Sequence, residues 1–76
     1  MLEIPSPIPN KHTLYNIDHI EEIYIVRIGG YWDISELRMK LKGGDTEILL
    51  RHRDRQWLEA NKTKLENRIK HLKETR

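Results

Sequence analysis

Residues 38–58 read RMKLKGGDTEILLRHRDRQWL, and how this stretch folds decides the rest. It contains a glycine pair, a basic run and the tripeptide His52-Arg53-Asp54. A glycine pair suits the positive φ angles of a tight hairpin turn. If Gly43 and Gly44 form a two-residue turn, Lys42 faces Asp45, Leu41 faces Thr46, Met39 faces Ile48 and Leu37 faces Leu50, so the apolar side chains share one face. On the other face Lys40 meets Glu47 and Glu36 meets Arg51, two opposite-charge cross-strand pairs. A one-residue slip would oppose Leu41 to Glu47 and scramble both faces. Turn, apolar face and charge pairs agree on a hairpin. The rival is a short helix over residues 34–42, because Asp33 and Glu36 have capping-box spacing and a glycine follows. That helix would leave Met39 off the face shared by Ile34, Leu37 and Leu41, and the strand is the better reading.

Working outward, residues 54–74 have helical periodicity: Leu58, Leu65, Ile69 and Leu72 fall near one face, with Trp57 at the start. Asp54 is placed to cap the first turn, and Glu66 and Lys70 sit four apart. Upstream, residues 16–28 become β-rich. Ile23 and Ile25 share one face of a strand, while Tyr24, Val26 and Ile28 share the other. With both faces apolar, this strand is expected to be covered on both sides. Residues 1–12 carry Pro5, Pro7 and Pro9, which disfavour helix and predict an extended arm. The expected fold is α+β: a three-stranded antiparallel meander, a long C-terminal helix packed on one face, and an extended proline-rich N-terminal arm. The arm is expected over residues 1–12 and a single small domain over residues 13–76.

The 76-residue length allows one small domain with a marginal core. The absence of cysteine excludes disulfides and thiolate zinc sites, and leaves self-association as a common stabiliser. It also fits a reducing, cytoplasmic location. No apolar run approaches a membrane span, and the N-terminus lacks the pattern of a secretion signal.

Chemistry is sparse. His52-Arg53-Asp54 matches the kinase catalytic-loop tripeptide, but the accompanying kinase motifs are missing and the chain has no phenylalanine. The KLKGGD run lacks phosphate-loop spacing. The four histidines, His12, His19, His52 and His71, show no converging metal-ligand pattern. Ser6 and Ser35 sit in no nucleophile motif, and Glu21 and Glu22 point to opposite faces of a strand. The reading is non-enzymatic, with no cofactor and no metal.

Charge is uneven: residues 1–38 carry a net −3 and residues 39–76 a net +5. Arg51, Arg53, Arg55, Trp57 and Lys62 form a candidate nucleic-acid patch, in which cations would meet phosphates and the ring would stack on a base. Asp54, Glu59 and Glu66 interrupt it. Tyr24, Val26, Trp32 and Leu49 form a candidate self-association face, because one helix cannot cover both sides of the sheet. They predict a two-fold homodimer.

Asn16, Asp18, Ile20 and Ile23, followed by Gly44 and then Leu58 and Leu65, form a pattern in which an asparagine-led N-x-D-x-I-x-x-I precedes a strand, a glycine hairpin and a helix. Over residues 14–72 this resembles small bacterial and phage proteins of the flagellar FlbD-like family, and the ending of bacterial PH-like domains. The resemblance implies an adaptor rather than a catalyst and carries over no catalytic residue. The expected function is therefore a small, self-associating protein-binding module of bacterial or phage origin, with nucleic-acid binding by the basic half as the alternative.

Overall fold

The computed structural model describes residues 3–8, 11–31 and 33–75. Two short strands come first, β1 (Glu3–Pro5) and β2 (Leu14–Asn16), paired antiparallel. Asn16 then caps a 3-10 turn over Ile17–His19, its side chain accepting a hydrogen bond from the Asp18 amide. Three longer strands follow: β3 (Ile20–Gly29), β4 (Ile34–Leu41) and β5 (Thr46–His52), an antiparallel meander in the order β3-β4-β5. The chain closes with α1, a helix over Arg55–Glu74. This is the expected α+β architecture, and residues 34–41 are strand rather than helix.

The hairpin at Gly43-Gly44 forms with a different connection. Both glycines adopt positive φ, 101° and 99°. The Leu41 amide donates to the Asp45 carbonyl at 2.8 Å, so Lys42, Gly43 and Gly44 together make a three-residue loop. One extra loop residue slips the adjoining register by one. Lys40 lies opposite Thr46, Met39 opposite Glu47 and Arg38 opposite Ile48. A β-bulge at Leu49 then takes up the slip and restores Leu37 opposite Leu50 and Glu36 opposite Arg51.

The slip corrects two expectations. Glu47 no longer meets Lys40; it pairs instead with Lys11 at 3.3 Å, while Lys40 reaches Glu21 at 3.8 Å. Leu49 does not belong to an outer face: the bulge turns it into the core, where it is 3% exposed, and leaves Ile48 outside at 42%.

One apolar core results. Ile23, Leu37, Met39 and Leu49 from the sheet meet Leu58, Leu65 and Ile69 from α1. Asp54 caps the helix by accepting from the amides of Gln56 and Trp57. The N-terminal hairpin contributes Ile4, Tyr15 and Ile17 to the same cluster. The arm is thus a strand that turns back on β2, and its apolar residues join the helix side of the sheet. The Tyr15 hydroxyl is buried without a well-formed hydrogen bond. Lys11 lies close enough to interact with it, and this contact, followed by the one to Glu47, raises the Lys11 pKa.

Candidate functional site

The side of the sheet away from α1 is partly covered by its own side chains. Glu36 points there from the central strand, with its side chain 4% exposed beneath two guanidinium groups. Arg38 donates to Glu36 Oε1 through Nε at 2.9 Å and through Nη2 at 2.6 Å, and Arg51 donates to Oε2. Burial alone would push the Glu36 carboxyl up, but the hydrogen bonds from Arg38 and Arg51 overrule it and hold its pKa below the usual glutamate value. Glu36 in turn raises the Arg38 pKa, with Tyr24 adding to the effect.

Tyr24 and Val26 occupy this side opposite Arg38 and Glu36, and both are half-buried in the single chain. The structure thus brings together two of the four residues read as a self-association face. Leu49 is in the core, and Trp32 lies outside the described residues. An antiparallel sheet with one solvated side needs no lid when long polar side chains cover it.

The candidate nucleic-acid residues divide. Arg51 is bound to Glu36, Arg55 reaches Glu59 at 3.4 Å, and Lys62 reaches Glu66 at 3.2 Å. Trp57 stacks on His52 with ring centroids 4.4 Å apart. Arg51, His52 and Arg53 line one small pocket with Ile34, whereas Arg55 and Lys62 line a groove elsewhere, between α1 and β3. Among the described residues, no group of histidine and carboxylate side chains could hold a metal, and no helix is long and apolar enough to cross a membrane.

The feature that sequence reading missed is the outer edge of β3. As an end strand of the meander, β3 pairs with β4 on one side only. Among the described residues its other side has no backbone partner. Register shifts at Glu21 and Ile28 bracket residues 22–27, which form a regular, unbroken pairing edge six residues long. Sheet edges are usually protected by lysine, proline, a bulge or a covering segment. β3 contains neither lysine nor proline, its charges, Glu21, Glu22 and Arg27, lie toward its ends, and its bulges sit at the ends rather than the middle. The opposite edge strand, β5, differs: its bulge interrupts the middle, and Lys11 of the arm reaches across to Glu47.

A groove runs beside the β3 edge, between the strand and α1. Two connected hollows, about 680 Å³ and 480 Å³, share Glu22 and Ile23. Ile20, Ile23 and Ile69 make the larger hollow about half apolar, with Glu21, Lys70 and Lys73 around them, whereas the smaller one is mostly polar, with Ile25 set among Glu22, Arg55, Glu59 and Lys62. A partly apolar hollow, flanking charges and an open row of backbone donors and acceptors match the needs of an extended peptide segment. The sequence did hold a signal for this site. A strand that opens a meander must lie at an edge, and this one is apolar on both faces. Comparison with protein-family models, with curated proteins and with solved structures finds no match to this chain.

Proposed function

We propose that this protein is a small non-enzymatic binding module that receives an extended protein segment as an added strand on β3. The observation behind this reading is the regular, unpartnered edge of residues 22–27 beside a groove of mixed apolar and charged lining. In such docking, main-chain hydrogen bonds supply affinity and alternate side chains, fitting the adjacent hollows, supply selectivity. Pairing with β4 already forms the edge, so the ordering cost of binding falls on the incoming segment.

The test is a selection of displayed twelve-residue peptides against the immobilised protein, followed by mapping of the selected peptides by backbone amide shifts. The expected result is perturbation centred on residues 22–27, with smaller changes at Lys62 and Ile69. Selected peptides that perturb only other surfaces would overturn the reading. Retention on single-stranded DNA at physiological salt, lost in Arg51→Ala and Arg53→Ala variants, would place the ligand among nucleic acids instead.

A further inference from the structure

We infer that the segment received by β3 is β3 of a second copy of the chain, so that two three-stranded sheets join across a two-fold axis into one six-stranded antiparallel sheet. This rests on the edge-docking reading above and names the partner. In a two-fold antiparallel pair with matched faces, the two residue numbers at each opposed position have a constant, even sum. Only a few registers are therefore available, and their side chains distinguish them.

Centring the axis on Tyr24 places Tyr24 opposite its own copy, Ile23 opposite the second copy's Ile25 and Glu22 opposite the second copy's Val26, and brings Glu21, at the register shift, near the second copy's Arg27. The branched pair falls on the core face, where Ile23 and Ile25 already line the groove. The charge pair falls at the rim, where Glu21 and Arg27 side chains are 50% and 68% exposed. Both pairs occur twice by symmetry. Centring on Ile25 would oppose Ile23 to Arg27. Centring on Ile23 would oppose Glu21 to Ile25 and Glu22 to Tyr24. The Tyr24 register keeps the core-face pair apolar and brings acid near base at each rim, with Glu22 beside the second copy's Val26 on the other face, and cross-strand pairs of the first two kinds favour a register. The tyrosine pair at the axis adds an aromatic contact.

The intrachain partners of the two charges do not oppose this. Glu21 lies 3.8 Å from Lys40, at the limit of an ion pair, and the Arg27–Asp33 contact is exposed on both sides. Exposed pairs of this kind exchange at little cost. Joining also removes the long unpaired edge from each copy, and a closed two-fold pair leaves no second β3 edge to propagate a fibre.

Because the chain has no cysteine, a single introduced thiol reports the register directly. Opposed Cα atoms in an antiparallel pair lie about 4.5–5.5 Å apart, within disulfide reach. Tyr24→Cys should therefore cross-link under mild oxidation to a species of twice the 9.2 kDa chain mass. Val26→Cys should not, because its own copy lies four residues along the strand, roughly 13 Å away. In sedimentation, Arg27→Glu should weaken the dimer about tenfold, by setting two carboxylates together at each rim. Adding Glu21→Arg should restore most of the loss, which a merely structural role for Arg27 would not produce. Cross-linking of Val26→Cys but not Tyr24→Cys would overturn the register. If both thiol variants and the unmodified chain stay monomeric while a selected peptide still perturbs residues 22–27, the second copy is excluded and the docking edge stands. If such peptides perturb neither β3 nor its groove, both readings fail.

Discussion

Glu36 shows how one side chain organises a surface. A buried carboxylate is costly unless every oxygen is satisfied. Here Arg38 holds one oxygen and Arg51 the other. Because the folded pKa lies below the usual 4.5, this arrangement stabilises the fold fully above that value. Its contribution fades as pH falls through the lower, folded value. Thermal melting followed from pH 7 to pH 2 should show a steep loss of stability below about pH 4.5. In Glu36→Gln, melting should start lower at pH 7, since two guanidinium groups lose their counter-charge, and should depend less on acid. An identical acid profile in the variant would remove Glu36 from this role. At the centre of the core, Leu58 is completely buried, and Leu58→Ala should cost about 2–5 kcal/mol in chemical denaturation. Leu65→Ala and Ile69→Ala, at slightly more exposed positions, should fall toward the lower end of that range.

At the scale of elements, the bulge in β5 is the detail that assigns side chains to faces. It predicts an inversion between neighbours. Leu49→Ala should cost about 2–5 kcal/mol, as a core truncation does, whereas Ile48→Ala should stay within about 0.5 kcal/mol, as an exposed change does. The loop makes a second prediction. Replacing Gly43 and Gly44 together by valine should lower the melting temperature markedly, because both hold φ near 100° and β-branched residues resist that region. Open space surrounds both positions, so the cost would come from backbone conformation rather than from collision. These two features also mark how far sequence pattern reaches. Strand, hairpin and capped helix were all legible, because alternation, the glycine pair and the Asp54 cap each have a local physical cause. The three-residue loop and the compensating bulge were not. A two-residue turn satisfies the same alternation over residues 36–42, and in the longer loop Glu47 meets Lys11, 36 residues away, a partner that local pattern cannot show. Tyr15 was missed for a similar reason. Its three-residue strand is too short to show a period, and the partner strand lies beyond an intervening proline segment.

At the scale of the whole molecule, the helix and the N-terminal hairpin both serve one side of the sheet. On the other side, Tyr24 and Val26 lie half-buried opposite Arg38 and Glu36, and the long unpaired element among the described residues is the β3 edge. The candidate basic residues divide between two hollows, Arg51 and Arg53 at one and Arg55 and Lys62 at another, a division that sequence proximity hides. Edge docking makes a specific demand of the backbone. In β3, amides alternate between those directed at β4 and those directed outward. The most direct measurement is amide hydrogen exchange along residues 22–27, taken at rising protein concentration and again with a saturating selected peptide. The account predicts that the inward amides are protected throughout, while the outward amides exchange freely in dilute solution and become protected as the edge is occupied. Outward amides that exchange freely under every condition, with the peptide bound and at the highest concentration, would contradict it.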